Sequence, residues 1–425
     1  MSLDLEKSVA SLFARTAYGI KPGLDVTRAL LEKLGNPHEG LKCVHVAGTN
    51  GKGSVCAMME SVLRASGFKT GLYTSPHLFR FNERFRINGR EIPDPVLEKL
   101  IAQVEAAAQS LTIRPPTFFE ISTAMAFEYF NREKVDYAVI ETGMGGRWDA
   151  TNVIQPVLSV ITRIDIDHTD YLGAEIEKIA WEKAGIIKSG APVICGPMPV
   201  EAEAIVYKEA AEKKVPILGS DEAVFFQCLE RRRDDQLLDI EASGHEYPGV
   251  RLPLAGKFQI ENCGIAVAAL EDLADLQGFR LQMKRGLESV KWPGRFQLLQ
   301  EKPPVIYDGA HNVSGSGALL QALEEIFPKF ENGFCFSFMK DKDVEGILKT
   351  LQPIAGKAWA LTLPGDRAMK AEAIVENGRR IGLEITPVES PQPAIEWAEA
   401  GKKRLVCFTG SLYLPEELKK AGLFR

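Results

Sequence analysis

Cys43-Val44-His45-Val46-Ala47-Gly48-Thr49-Asn50-Gly51-Lys52-Gly53-Ser54 is the stretch on which the fold turns. Cys43 to Ala47 is short, apolar and β-rich, and predicts a strand. Gly48 to Gly53 is a glycine-rich turn. Ser54 to Ala65 carries Val55, Met58, Met59, Val62 and Leu63 at helical spacing, Gly67 supplies a stop, and Thr70 to Thr74 returns as a strand. A glycine turn between a strand and a helix is the setting a phosphate cradle requires. Glycines let the backbone approach oxygen atoms closely, successive N–H groups and the helix N-terminus face negative charge, and Lys52 adds a full positive one. Thr49, Asn50, Gly51, Lys52, Gly53 and Ser54 are therefore candidate phosphate-binding residues. The spacing departs from GxxxxGK[ST], because Gly53 intervenes between Lys52 and Ser54.

Outward from this unit, β-rich runs alternate with helical stretches, which argues for parallel α/β architecture. Further strands are expected at Tyr137 to Thr142, Val157 to Ile164 and Val193 to Cys195. Helices are expected from Asp94-Pro95, with Asp94 as N-cap, and over Ile176 to Ile187. Residues 220–256 read as a small antiparallel excursion. A second α/β series follows Trp292-Pro293-Gly294, a plausible hinge, with strands near Val305 to Tyr307, Phe334 to Phe338, Ala358 to Thr362 and Leu405 to Phe408. The chain divides into a large N-terminal domain, 1–293, and a smaller C-terminal one, 294–425.

Composition narrows the function. In 425 residues, 51 Lys and Arg stand against 57 Asp and Glu, a net charge of −6 that argues against a protein devoted to gripping nucleic acid. Seven cysteines without a CxxC pair read as reduced core residues, no membrane-length apolar run occurs, and the first residues lack a secretory core. A cytoplasmic protein is expected.

In a parallel sheet with right-handed crossovers, all strand carboxyl ends share one edge, where ligands bind. The glycine loop ends one strand there. Ser75 follows the next, Glu141 closes another, and Asp165, Asp167 and His168 follow a fourth. Hydroxyl, carboxylate and imidazole beside phosphates form a plausible site for Mg²⁺, which favours oxygen ligands. Taken singly, Ser75 is also an ordinary turn residue, Glu141 a solvated strand end and His168 a cap or surface residue. Asp165, Asp167 and Asp170 read mainly as loop or capping residues.

Lys183 falls inside the apolar arc of Ile176, Ile179, Ala180 and Ile187, whereas Lys178, Trp181 and Glu182 fall outside it. Desolvation there would lower its pKa and yield a neutral amine, able to act as a nucleophile or to capture CO₂ as a carbamate. The alternative is a lysine snorkelling from a core rim. In the second domain, Val305-Ile306-Tyr307 runs into Asp308-Gly309-Ala310-His311-Asn312. Arg295 could reach phosphate and Asp308 a ribose, or they serve as a surface arginine and a helix cap. His45, inside a buried strand, reads as structural.

The run His45 to Ser54, the segments Tyr73-Thr74-Ser75-Pro76-His77-Leu78, Glu141 to Asn152 and Trp181-Glu182-Lys183-Ala184-Gly185-Ile186, and Asp308 to Asn312 together resemble the folylpolyglutamate synthase and dihydrofolate synthase family of ATP-dependent Mur ligases. The resemblance implies a P-loop ATPase-type central domain and a Rossmann-like C-terminal ligase domain. It implies Mg²⁺ on Ser75, Glu141 and His168, and ATP on Thr49 to Gly53 with Asn262, Arg295 and Asp308, His311 lying nearby. It also implies a carbamylated Lys183, with Lys52, Lys183 and His311 in catalytic roles. Folate contacts would map to Gly23, Leu24, Asp25 and Val26, to Thr117, Phe118, Phe119 and Glu120, and to Trp148, Asp149 and Ala150. The implied reaction is ATP-dependent glutamate addition to folates or dihydropteroate by a monomer. A muramyl-peptide-type substrate and an ATP-sensing regulator are the rival readings.

Overall fold

The computed structural model describes residues 3–19, 21–167, 173 and 175–424. Three sheets organise it. The first holds β1 (Cys43–Ala47), β2 (Thr70–Tyr73), β3 (Phe85–Ile87), β4 (Arg90–Glu91), β5 (Tyr137–Glu141), β6 (Leu158–Ile161), β7 (Val193–Cys195) and β8 (Ile217–Gly219), in the order β4-β3-β2-β5-β1-β6-β7-β8. β2, β5, β1, β6, β7 and β8 run parallel, and β3 and β4 add an antiparallel edge. Every residue of β1 and β5 is buried, as expected of a parallel sheet covered on both faces. Helices Lys52–Ala65 and Lys257–Gln277 supply one covering layer, and helices Asp94–Gln109 and Phe118–Arg132 supply the other.

The second sheet is an antiparallel meander of β9 (Val224–Arg231), β10 (Gln236–Ala242) and β11 (His245–Leu252), where the excursion was expected. Its Leu238, Ile240 and Ala242 alternate inward and pack with the helix Lys257–Gln277. The third sheet contains β12 (Gln297–Glu301), β13 (Pro304–Asp308), β14 (Glu331–Phe336), β15 (Ala355–Leu361), β16 (Thr386–Val388) and β17 (Arg404–Thr409), in the order β12-β13-β17-β14-β15-β16. All its pairings are parallel except that of β12 with β13. It forms the core of a second lobe, with its own aromatic cluster around Phe334, Phe336 and Phe338.

Several expectations need correction. Pro93, not Asp94, is the N-cap of its helix, and Asp94 is its first residue. β6 stops at Ile161, because Arg163 leaves the ladder to bridge Asn50. The helix from Ile176 ends at Ala184, with Gly185 as C-cap. Six cysteines are buried, but Cys228 is exposed on β9, and all seven are free thiols. Among the described residues, no helix is long and apolar enough to cross a membrane.

Candidate active site

The carboxyl ends of β2, β5, β1 and β6 meet along one edge and, with residues of the second lobe, enclose a cleft of about 1440 Å³. The glycine loop forms its floor. Gly48 takes φ 150, and a Cβ there would lie 1.8 Å from Thr162 Oγ1. Gly51 takes φ 90, and a Cβ there would lie 2.3 Å from Asn262 Oδ1. Only glycine fits either place. Thr49 is pinned from both sides: its N–H donates to the Arg163 carbonyl at 2.8 Å, and its hydroxyl donates to the Asp165 carbonyl at 2.9 Å. Thr162 Oγ1 donates to the Asn50 carbonyl at 2.7 Å. Lys52 begins the helix, and its ammonium donates to the carbonyls of Gly48 and Thr49 at 3.0 and 3.2 Å. Gly53 and Ser54 follow on the cleft wall, and Ser54 is buried.

Lys183 reaches the same loop from the opposite side. It is 3% exposed, and its Nζ donates to Gly48 O at 2.9 Å, so two lysines converge on one carbonyl. Burial first, and the Lys52 charge second, push its pKa down to about 7. The expectation of a desolvated amine therefore holds.

Ser75 and Glu141 stand together at the ends of β2 and β5, where the Glu141 carboxylate accepts the Ser75 N–H at 2.9 Å. Burial raises the Glu141 pKa, opposed by Lys52, that hydrogen bond, Arg295 and Arg84. His168, the third residue expected here, lies outside the described residues, as does Asp170.

From the second lobe, Arg295, Asp308, His311 and the N-terminus of helix Val313–Ile326 face the loop. Asp308 is committed to the backbone: its carboxylate accepts the N–H groups of Phe296 and Ala310, both at 2.7 Å. Phe296 is buried at φ 43, a left-handed conformation unusual for a bulky residue, so Asp308 fastens the strained strap that carries Arg295. Arg295 Nη1 donates to Gly294 O at 3.1 Å. His311 Nδ1 lies 2.8 Å from Gly309 O, and burial with nearby Lys342 lowers its pKa. Asn262 donates to Gln259 Oε1 at 3.0 Å.

A polar seam joining the lobes was not expected from the sequence. Asn50 Nδ2 donates to Ser314 Oγ at 2.6 Å and to Asn312 Oδ1 at 3.3 Å. Asn312 Nδ2 donates to Asn50 Oδ1 at 3.1 Å and to Asp167 Oδ2 at 2.9 Å. Ser314 Oγ donates to Asp165 Oδ2 at 2.7 Å, and Lys342 Nζ donates to Asp167 Oδ1 at 3.0 Å. Asp165 and Asp167, read from sequence as loop or capping residues, instead tie the end of β6 to the other lobe.

The far end of the cleft is aromatic. Phe118, Phe119, Met144 and Phe13 line it, and Trp148 lies 48% exposed there beside Asp149 and Ala150. Thr117 caps the helix Phe118–Arg132 through a reciprocal box with Glu120, whose carboxylate also takes a two-pronged grip from Arg114 at 2.9 and 2.7 Å. Asp149 accepts the N–H groups of Gly143, Met144 and Thr151. Glu120 and Asp149 thus shape the wall. Of the stretch from Gly23 to Val26, Gly23 alone lines the cleft: Asp25 starts a helix and is exposed, while Leu24 and Val26 are buried.

The profile of the Mur ligase middle domain matches residues 46–270, and that of the Mur ligase glutamate ligase domain matches 294–412. A dihydrofolate synthase/folylpolyglutamate synthase of Bacillus subtilis is 35% identical, over 96% of this chain and 97% of its own length. Folylpolyglutamate synthase of Mycobacterium tuberculosis, solved with ADP, superposes with a TM-score of 0.90 at 33% identity, covering 99% of this chain and 98% of that one. An FPGS-AMPPCP-folate complex superposes with a TM-score of 0.86 at 32% identity, over 99% of both chains. With agreement of this extent in sequence and fold, the chain belongs to the folylpolyglutamate synthase/dihydrofolate synthase family of Mur ligases.

Proposed function

We propose that this chain is an ATP-dependent ligase that joins the amine of L-glutamate to a carboxylate of a folate, acting both on reduced folates and on dihydropteroate. One observation carries the reading: a single cleft is lined by a glycine-lysine phosphate loop at one end and an aromatic slot at the other, with Ser75 and Glu141 between them. A nucleotide laid on the loop directs its terminal phosphate toward an acid seated in the slot.

A carboxylate acylates an amine poorly, so it must first be activated. Its oxygen attacks the γ-phosphorus of ATP, ADP departs, and the resulting acyl phosphate is attacked by the glutamate amine with loss of inorganic phosphate. Lys52, the loop N–H groups and Arg295 offset charge on the transferring group, and catalysis rests on positioning and electrostatics. Lys183 fixes Gly48 and so the loop itself; a neutral amine at this site is also the form that takes up CO₂ as a carbamate. Asn262, Asp308 and His311 border the nucleotide. Enclosure between the lobes, divided at residues 293 and 294, shields the acyl phosphate from water.

Ser75 and Glu141 suit a magnesium ion. Their donors are oxygens, and Glu141 is a buried carboxylate that, among the described residues, accepts one hydrogen bond, from the Ser75 N–H, so a cation would offset the cost of its desolvation. Bound there, with His168 as the third ligand implied by the resemblance, Mg²⁺ supplies neutralisation of phosphate oxygens. Both lobes that line the cleft belong to one chain, which suits a monomer, and seven free thiols suit a reducing cytoplasm.

The decisive experiment measures ADP release with dihydropteroate and with tetrahydrofolate, each with and without glutamate. Glutamate-dependent release with either folate supports the reading. Release indifferent to folate and glutamate sinks it in favour of a nucleotide-hydrolysing regulator.

A further inference from the structure

Between the phosphate loop and the aromatic slot stands an arginine that neither the motifs nor the mechanism uses. Arg84 closes the short 3₁₀ turn Phe81–Arg84, is 5% exposed, and lines the cleft beside Ser75, Glu141, Thr117 and Phe118. Its Nε donates to His77 Nδ1 at 2.9 Å, and its guanidinium lies over the rings of Phe118 and Phe81, 5.1 and 5.8 Å from their centroids. His77 is a neutral partner, not a counter-ion: burial first, and Arg84 second, push its pKa down to about 3. No carboxylate among the described residues pairs with Arg84, whereas Arg114 and Arg147 pair with Glu120 and Glu209. Tyr73, Tyr413 and Glu141 are the ionisable groups facing it, and Glu141 belongs to the proposed cation site.

A guanidinium this buried without a counter-ion is expensive, and its planar fork matches a carboxylate in two-pronged fashion. The phosphates have cations of their own in Lys52 and Arg295. Arg84 stacks over Phe118, in the aromatic slot assigned above to the acid substrate. That substrate differs between the two reactions proposed above. Dihydropteroate carries one carboxylate, which reacts. A glutamylated folate carries a second, the α-carboxylate, a short alkyl chain from the reacting one.

We propose that Arg84 is a specificity-determining residue that binds the non-reacting α-carboxylate of a glutamylated folate. This rests on the folate-ligase reading and deepens it: the site holds a dedicated anion grip for chain extension. Phe81 and Phe118 hold the guanidinium plane, His77 fixes its Nε edge, and Tyr73 shares a side-chain hydrogen bond with it, all of them neutral partners on a residue that lines the cleft.

The test pairs a ligand change with a residue change. Tetrahydrofolate and its α-carboxamide, in which the α-carboxylate is an uncharged amide, are compared as substrates of wild type, Arg84→Met and Arg84→Lys. Wild type should prefer the acid in kcat/KM by about 30-fold or more. Arg84→Met should lose that preference and treat both compounds alike, at the level of wild type with the amide. Arg84→Lys should recover part of it. AMPPCP binding by calorimetry should be unchanged in both variants, which separates this role from a merely structural one. A preference that persists in Arg84→Met overturns the proposal. So does an equal loss on both compounds, since that would assign Arg84 to the reacting carboxylate or to the wall. Failure of wild type to use tetrahydrofolate at all overturns this assignment, whereas glutamate-dependent ADP release with dihydropteroate would leave the ligase reading standing.

Discussion

The two ends of the cleft are built on opposite principles. At the phosphate end nearly every polar group is already engaged: Lys52 and Lys183 on the Gly48 carbonyl, Thr49 on Asp165, and Asn50 on Ser314 and Asn312. At the acid end, Arg84 pairs with no carboxylate among the described residues, and Trp148 leaves half its surface open. One end is organised before its ligand arrives, and the other is completed by it. The triphosphate is common to a whole superfamily of reactions and rewards a rigid seat. The acid varies in length and charge and rewards groups that pay their desolvation only when the right partner binds.

The largest expected effects break the organised end. Lys52→Met should lower kcat by about 10²–10³-fold in the ADP-release assay, because the proposed phosphate loop loses its lysine charge. Lys183→Met should impair turnover as severely while stabilising the protein. The sign follows from the pKa of about 7 against the ordinary 10.5. Between those values the unfolded chain holds a proton that the folded one does not, so burying Lys183 costs stability fully below pH 7 and not at all above about 10.5. Lys183→Met should therefore raise folding stability at pH 7 by roughly 2–4 kcal/mol, a gain that fades toward pH 10.5 in denaturant titrations. Unchanged turnover would reduce Lys183 to a core lysine.

An intermediate effect is expected at the seam. Lys342→Met or Asp167→Asn should raise the KM for ATP and lower kcat together by about 10-fold, since each removes one charge of a largely buried ion pair that joins the lobes. The exchange of Asp167→Lys with Lys342→Asp should recover part of that loss, and no recovery would mean the pair acts through separate contacts. The smallest effect belongs to the acid end. Trp148→Ala should raise the KM for tetrahydrofolate about 3- to 10-fold and leave that for ATP untouched. A change in ATP affinity instead would erase the distinction between the two ends.

The same contrast governs what the sequence makes legible. The loop, Ser75, Glu141 and Lys183 are readable because each obeys a short-range regularity: glycine spacing, the shared edge of parallel strands, or the helical wheel. Short edge strands such as Arg90–Glu91 and Thr386–Val388 carry too few apolar residues to announce themselves. Arg84 closes a single 3₁₀ turn between two strands, too short for periodicity to hint at which way a side chain turns. Asp165 and Asp167 have partners in another lobe, with Asn312 and Lys342 far along the chain, and nothing local distinguishes such residues from loop carboxylates. The resemblance groups Leu24, Asp25 and Val26 with Gly23 as folate contacts, but Leu24 and Val26 are buried in the core around the helix that starts at Asp25, and Asp25 is left in solvent.

The side-chain amide of Asn50 belongs to the loop yet finds its partners across the interface. Parting the lobes therefore strips the nucleotide seat of bonds at the same moment it opens a way out. On the proposed reading, ADP escape and reopening would be a single diffusive event. With saturating substrates, the maximal rate should then fall in proportion to added viscogen, and Asn50→Ala should blunt that proportionality by uncoupling the two motions.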